Sequence, residues 1–167
     1  MTPAFLVEAL ATNHRREGFS CGVDALDRYF REQVTQDLRR RFASCFVAVE
    51  RDSRRIAGYY TLSATGISLD SLPEAIRKKL PRYPSVPAVR MGRLAVATDF
   101  SKRGLGAALL ADALARTMNS EIAAYALIVD AKDQTAANFY RHHQFSPLGQ
   151  NPLMLYLPLG GLGKPAD

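Results

Sequence analysis

Met91-Gly-Arg-Leu-Ala-Val96, followed after a short break by Ser101-Lys-Arg-Gly-Leu-Gly-Ala107, is the stretch whose reading decides the fold. Apolar, β-capable residues run from Val89 to Val96, and Thr98–Asp99 make a polar break. Arg103-Gly104-Leu105-Gly106 then opens a segment rich in Ala and Leu, Ala107 to Met118, which reads as a helix. The first N–H groups of a helix lack an intrahelical acceptor, so they can cradle a phosphate. Glycine lets backbone approach a ligand closely. Lys102 and Arg103 put two cations where an anion would sit. A Walker A loop is excluded, because Gly106 is followed by Ala107-Ala108 instead of Lys-Ser/Thr. A dinucleotide fingerprint is excluded too: its third glycine falls on Leu109, and several residues separate Val96 from Gly104. By itself, the pattern fits a plain glycine turn into a core helix equally well.

A chain of 167 residues is long enough for a single core, and the reading is one domain over 1–159 with a flexible tail over 160–167. Its 47% hydrophobic content is ordinary for a globular protein. No apolar run approaches membrane-spanning length, and the N-terminus lacks a basic-then-apolar signal, so a cytoplasmic protein with no membrane partner is expected. Cys21 and Cys45 are not spaced as a metal knuckle, and His14, His142 and His143 read as surface residues; no metal is expected. Cys21 reads as a small buried hydrophobe. Net charge is +6 and the pI about 9.6. Basic residues cluster at Arg39–Arg41, at Arg51 with Arg54-Arg55, at Arg77-Lys78-Lys79 with Arg82, and at Arg90 with Arg93. One cluster is a solvated face; several on one small domain favour a polyanionic partner.

The elements alternate. Ala4 to Ala11 reads as a strand, and Asp24 to about Arg40 as an amphipathic helix with Leu26, Tyr29, Phe30, Val34 and Leu38 inward. Phe42 to Glu50 and Ile56 to Ser68 read as paired strands. Ser71 reads as a helix cap with Glu74 in the capping-box position. Pro81, Pro84 and Pro87 predict an extended loop. After the glycine turn and its helix come a buried strand, Tyr125 to Ala131, and a helix capped by Asp133 and ending near His143. Phe145 to Leu148 and Leu153 to Leu157 close the sheet. This order is α/β, a mixed sheet flanked by helices.

Ser101-Lys-Arg-Gly-Leu-Gly106, with Asn138-Phe139-Tyr140 and Phe145 further on, resembles the GNAT family of acyl-CoA N-acyltransferases. That family's signature is Arg/Gln-x-x-Gly-x-Gly/Ala; this chain matches at both glycines and departs at Ser101. The resemblance covers about Phe19 to Pro158. It implies acetyl-CoA as acyl donor, held by Leu94, Ala95 and Val96, by Lys102 to Ala107 (Arg103, Gly104, Leu105 and Gly106 included) and by Asn138, with Tyr140 as the acid. An amine attacks the thioester carbonyl, backbone N–H groups of Leu94–Val96 polarise it, and the departing thiolate takes a proton. Read on spacing alone, Tyr140 is a packing residue of an amphipathic helix sooner than an acid; its place after Asn138-Phe139 in a chain with this glycine turn reverses that reading. Ala88 to Val96 carries no Glu or Asp to act as base. A lysine, with a pKa of about 10.4, needs such a base; an α-amino group, at about 8, is partly neutral without one.

Phe19-Ser-Cys-Gly22 with Leu26-Asp27, Gly58-Tyr59-Tyr60-Thr61-Leu62-Ser63, Arg93-Leu94-Ala95-Val96 and Val129-Asp130-Ala131-Lys132 narrow the likeness to the GNAT toxins of bacterial toxin–antitoxin pairs, the TacT type. That resemblance implies acetylation of aminoacyl-tRNA and a block of translation, with Arg77, Lys78, Lys79, Arg90 and Arg93 on the tRNA, a ribbon–helix–helix antitoxin as partner, and a homodimer left open. Two other functions stand beside it: acetylation of a small amine or a protein N-terminus, and a non-catalytic module binding nucleic acid or CoA.

Overall fold

The computed structural model describes residues 4–160. Seven strands form one mixed sheet in the order β1-β2-β3-β4-β5-β7-β6. They are β1 (Phe5–Ala9), β2 (Ser44–Glu50), β3 (Ile56–Ser68), β4 (Ser85–Val96), β5 (Ala126–Asp130), β6 (Ser146–Leu148) and β7 (Asn151–Pro158). The helices are α1 (Asp24–Arg28), α2 (Val34–Arg40), α3 (Glu74–Arg77), α4 (Leu105–Met118) and α5 (Gln134–His142). The chain divides into two compact units. One comprises residues up to Ser63 together with Gly92–Arg116; the other comprises Ala64–Met91 and the chain from Thr117 onward. Both β3 and β4 contribute residues to each.

In the first unit β1 pairs antiparallel with β2, and β2 with β3. The predicted helix over 24–40 forms, but α1 passes into α2 through a π turn, Tyr29–Gln33. The wider turn keeps Tyr29, Phe30 and Val34 all buried. Phe19, Phe30 and Tyr59 make an aromatic core: Phe30 stacks on Tyr59 at 4.3 Å, and Phe19 meets both edge-on. The Phe19–Gly22 and Leu26-Asp27 motifs thereby gain a structural meaning. Asp27 is a buried carboxylate that accepts the Cys21 N–H at 2.8 Å, and Leu26 gives its carbonyl to the Tyr59 hydroxyl at 2.7 Å. Gly58 is required by close packing: a Cβ there would lie 2.8 Å from the Ala95 carbonyl oxygen and from Leu109 Cδ1.

In the second unit β4 and β5 run parallel, with Ala88–Met91 opposite Ala126–Val129; β7 lies antiparallel between β5 and β6. Its core gathers Ile67, Leu72, Val86, Ala88, Ile128, Leu148 and Tyr156. The four buried residues Ala126–Val129 explain the continuous apolar run in the sequence.

Several expectations are corrected. The first strand stops at Ala9, and β2 starts at Ser44, leaving Phe42 outside it and exposed. Ser71 does not cap α3; it ends a 3-10 turn, and Pro73 occupies the cap position with no side-chain hydrogen bond. Leu72 is the reason, since it is buried and pulls the chain into the core before the helix can start. Pro87 lies inside β4, where its carbonyl accepts the Tyr125 N–H at 2.8 Å. His14 is no surface residue: its side chain is 4% exposed and bonds to Glu8. Cys21 is only half-buried, whereas Cys45 is in the core. The tail expected over 160–167 lies outside the described residues beyond Gly160.

Candidate active site

The first unit holds the glycine turn. A 3-10 turn, Thr98–Phe100, ends β4, and the Ser101 hydroxyl donates to the Thr98 carbonyl at 2.9 Å. Serine at the departing motif position therefore secures the turn that leads into the glycines. Lys102 and Gly104 both have left-handed backbone, φ +62° and +75°. No atom lies within 4 Å of a Cβ built on Gly104, so glycine is there for its backbone freedom and not for space. The earliest amide of α4 bonded into the helix is Ala108, to the Gly104 carbonyl at 3.1 Å. The N–H groups of Leu105, Gly106 and Ala107 precede that bond and need other partners.

Side chains around the turn are arranged differently from the simple expectation. Lys102 is exposed, with no ion pair among the described residues. Arg103 lies over the rings of Phe5 and Phe100, at 5.1 and 5.7 Å. Behind the turn, Leu105, Leu109, Leu110 and Ala113 bury one face of α4. A network that joins Tyr60 of the Gly58–Ser63 motif to Asp112 and Arg116, two residues outside every motif, fixes that helix. Asp112 accepts hydrogen bonds from the fully buried Tyr60 hydroxyl and from Arg116 Nε, and Arg116 also caps the Phe46 ring at 4.2 Å. Burial, reinforced by the bond to Asp112, pushes the Tyr60 phenol well above its ordinary range. Ala95 is buried in β4, with Leu94 and Val96 half-buried beside it. Arg93 stacks its guanidinium 3.4 Å from the centroid of the Tyr29 ring, whose hydroxyl donates to Asp37 at 2.7 Å.

The second unit holds α5. Asp133 caps it as expected, accepting the Ala136 N–H at 2.8 Å. Asn138 is exposed, and its carbonyl oxygen accepts from Gln134 at 3.0 Å. Tyr140 is buried, packed against Phe139 and Phe145 at centroid distances of 5.2 and 5.6 Å. Burial drives its phenol far above the usual tyrosine range. Its hydroxyl has no hydrogen-bond partner among the described residues. It is thus a protonated group at neutral pH with its donor uncommitted.

The arginines and lysines expected on tRNA are dispersed. Arg77 faces Asp70 at 3.8 Å, Lys78 pairs with Glu74 at 3.6 Å, and Arg90 bonds to Asp130 at 3.0 Å, all in the second unit. Lys79 is exposed. Arg93, on Tyr29, belongs to the first unit. No group of His, Cys, Asp and Glu suited to a metal occurs among the described residues, and no helix there is long and apolar enough to cross a membrane.

A strand running into a glycine turn with open amides, at the head of a long Ala/Leu helix in a mixed sheet, is the arrangement of an acyl-CoA-dependent transferase. The chain belongs to the GNAT acetyltransferase family: the acetyltransferase (GNAT) domain matches residues 41–147. It is 33% identical over 141 residues to a tRNA-acetylating toxin of Mycobacterium tuberculosis strain H37Rv, covering 83% of this chain and 82% of that protein. Among solved structures it superimposes on AtaT complexed with acetyl-methionyl-tRNAfMet with a TM-score of 0.86, 27% identity and coverage of 92% and 94% of the two chains. It also matches AtaTR bound with AcCoA, at a TM-score of 0.81 and 26% identity, over 93% of this chain and 94% of that one.

Proposed function

We propose that this chain is an N-acetyltransferase that moves acetyl from acetyl-CoA to the amino group of aminoacyl-tRNA, and that it blocks translation as the toxin of a toxin–antitoxin pair. The observation that carries the reading is the open amide row Leu105–Ala107 at the head of α4, in a family of acetyltransferases with a tRNA-acetylating relative. In this reading the Gly104–Ala107 amides, with Lys102 and Arg103, hold the pyrophosphate. Arg103 leaves the Phe5 and Phe100 rings only as far as its flexible stem allows. Leu94–Val96 supply backbone N–H groups to the thioester carbonyl, and Asn138 contacts the coenzyme.

The amine nitrogen forms the new bond to the acetyl carbon as the carbon–sulfur bond breaks. The sulfur takes its proton from Tyr140, and water removes the surplus proton from the amine. Burial raises the Tyr140 pKa, which keeps the proton in place until a thiolate develops but makes the transfer uphill; a thiol's ordinary value is about 8.5. The strand Ala88–Val96 carries no carboxylate base, which suits an amine of low pKa such as that of an aminoacyl ester.

Arg77, Lys78, Lys79, Arg90 and Arg93 are proposed to meet the tRNA, with the exposed ion pairs of Arg77, Lys78 and Arg90 exchanging carboxylates for phosphates. Residues 1–159 act as one catalytic domain in the cytoplasm. The silencing partner is a ribbon–helix–helix antitoxin whose acidic tail lies on the basic surface. Acetylation of purified charged tRNA, read by mass spectrometry of the aminoacyl ester, tests the core of the reading. N-acetylated aminoacyl-tRNA is expected, together with growth arrest on expression without the partner. Equal rates on free amino acids and charged tRNA would instead favour a small-amine acetyltransferase.

A further inference from the structure

A cleft of about 790 Å³ opens in the first unit between residues 13–20, the turn joining β2 to β3, and the end of β4. Three arginines line it, Arg15, Arg54 and Arg55, against two carboxylates, Glu17 and Asp99. Neighbouring residues of an extended chain point to opposite sides. Arg54 escapes that rule because its backbone is left-handed, φ +62°, and so both Arg54 and Arg55 reach the same cleft. Glycine or asparagine would adopt that conformation at less cost. A strained arginine there indicates that its side chain is wanted.

Both arginines are held from behind. Glu8 Oε1 accepts from Arg54 at 2.8 Å and from His14 Nε2 at 2.7 Å. His14 Nδ1 accepts the Ala11 N–H at 2.8 Å, so the ring proton sits on Nε2 and points at Glu8. The His14 side chain is 4% exposed, and this buried relay fixes the carboxylate that aims Arg54. Arg55 donates to Asp99 at 2.6 Å and lies 5.0 Å over the Phe100 ring. Each arginine commits one terminal nitrogen to its carboxylate, and the remaining donors are free to form a fork. Arg15 has no partner among the described residues.

We infer that this cleft is a phosphate-binding site, in which Arg54 and Arg55, with Arg15 beside them, grip phosphate groups of a nucleotide-bearing substrate. The inference rests on the proposed function insofar as both substrates named there carry such groups, the tRNA as phosphodiesters and the coenzyme as its nucleotide phosphates. None of these three arginines belongs to the glycine turn or to the basic residues already given to tRNA.

The test is binding by the full chain carrying Arg54→Gln and Arg55→Gln together. Affinity for deacylated tRNA is read by fluorescence anisotropy, and affinity for coenzyme A by the shift in melting temperature. We expect one of the two to weaken by about tenfold, and the ligand affected identifies the source of the phosphate. If it is the tRNA, the dependence of log K on log salt falls by about two, one for each lost contact. Both affinities within about twofold of wild type would overturn the site. Should the double variant fail to melt cooperatively, Arg15→Glu reads the same two affinities, and no change in either overturns the site. Arginine-dependent binding without acetylation of charged tRNA would overturn the proposed function and leave the site standing. Acetylation with both affinities unchanged would do the reverse.

Discussion

In the turn over residues 101–104 the side chains are exposed, and the groups proposed to act are the backbone amides that follow it; in α5 the backbone is spent on the helix, and the group proposed to act is the hydroxyl of one buried tyrosine. The turn obtains its shape from dihedral angles, φ +62° at Lys102 and +75° at Gly104, with nothing packed against Gly104. Tyr140 obtains its character from packing against Phe139 and Phe145, which removes water and holds the proton on the phenol. The proposed ligand cradle and the proposed acid thus make opposite demands. The first needs polar groups kept open to solvent until the ligand arrives. The second needs one polar group sheltered from it.

That contrast breaks most readily at Tyr140. Tyr140→Phe removes only the hydroxyl, so the ring cluster should persist while turnover on charged tRNA falls about 10²–10⁴-fold. Melting temperature close to wild type, measured beside initial rates, is expected; a near-normal rate would make Tyr140 a packing residue. The turn is tested by ligand-dependent stability. Acetyl-CoA at about a hundred times its dissociation constant should stabilise the wild type by about 2.7 kcal/mol. Gly104→Asp should abolish that gain through like charge. Gly104→Ala should retain part of it while destabilising the apo protein by about 1–2 kcal/mol, because only the left-handed backbone objects. Differential scanning fluorimetry with and without acetyl-CoA reads both.

A substitution on the neighbouring strand β3 asks whether the turn depends on packing after all. Gly58→Val should lower the urea-unfolding free energy by about 1–3 kcal/mol, since Ala95 and Leu109 leave no room for a Cβ. If stability is unchanged, the strand end at Leu94–Val96 is looser than its contacts imply. Alkaline pH sharpens the other side of the contrast. The folded-state pKa of Tyr140 lies above the unfolded value of about 10, so its contribution is complete below pH 10 and is lost as pH rises through the folded value. Urea melts between about pH 9 and 11 should show stability falling with pH, less steeply in Tyr140→Phe. The smallest effect concerns the thiols. Burial pushes the Cys45 thiol up to about 12, and the residue is 2% exposed. A thiol reagent at pH 8 should modify half-buried Cys21 in the native protein and reach Cys45 only on denaturation. Equal native rates would contradict the placement of Cys45.

The glycine turn, the helix behind it and the Asp133 cap were readable because each is local. Left-handed turns favour glycine, an apolar residue every third or fourth position makes a helix face, and an aspartate before a helix satisfies a nearby amide. Membership in the acetyltransferase family was legible in the glycine motif together with Asn138-Phe139-Tyr140, and the choice of Tyr140 rested on that resemblance and not on its spacing. Ser71 misled because a capping pattern is cheap to match and Leu72 had a stronger claim on the chain, its burial. His14 misled because its partner, Glu8, lies on a strand whose proximity no spacing reveals.

The sequence by itself determined the α/β order and the amide row at the head of α4, since both depend on neighbours along the chain, and it gave the type of chemistry through the family resemblance that its dispersed motifs carry. Tertiary structure decided which charges are free and which groups are dry. Arg93 rests on Tyr29, Arg90 is tied to Asp130, and Arg54 and Arg55 share a cleft. Whether an arginine can meet a phosphate depends on what already occupies its donors. Whether a phenol holds its proton depends on how much water surrounds it. Both are set by residues distant in sequence, brought close only when the apolar faces collapse together.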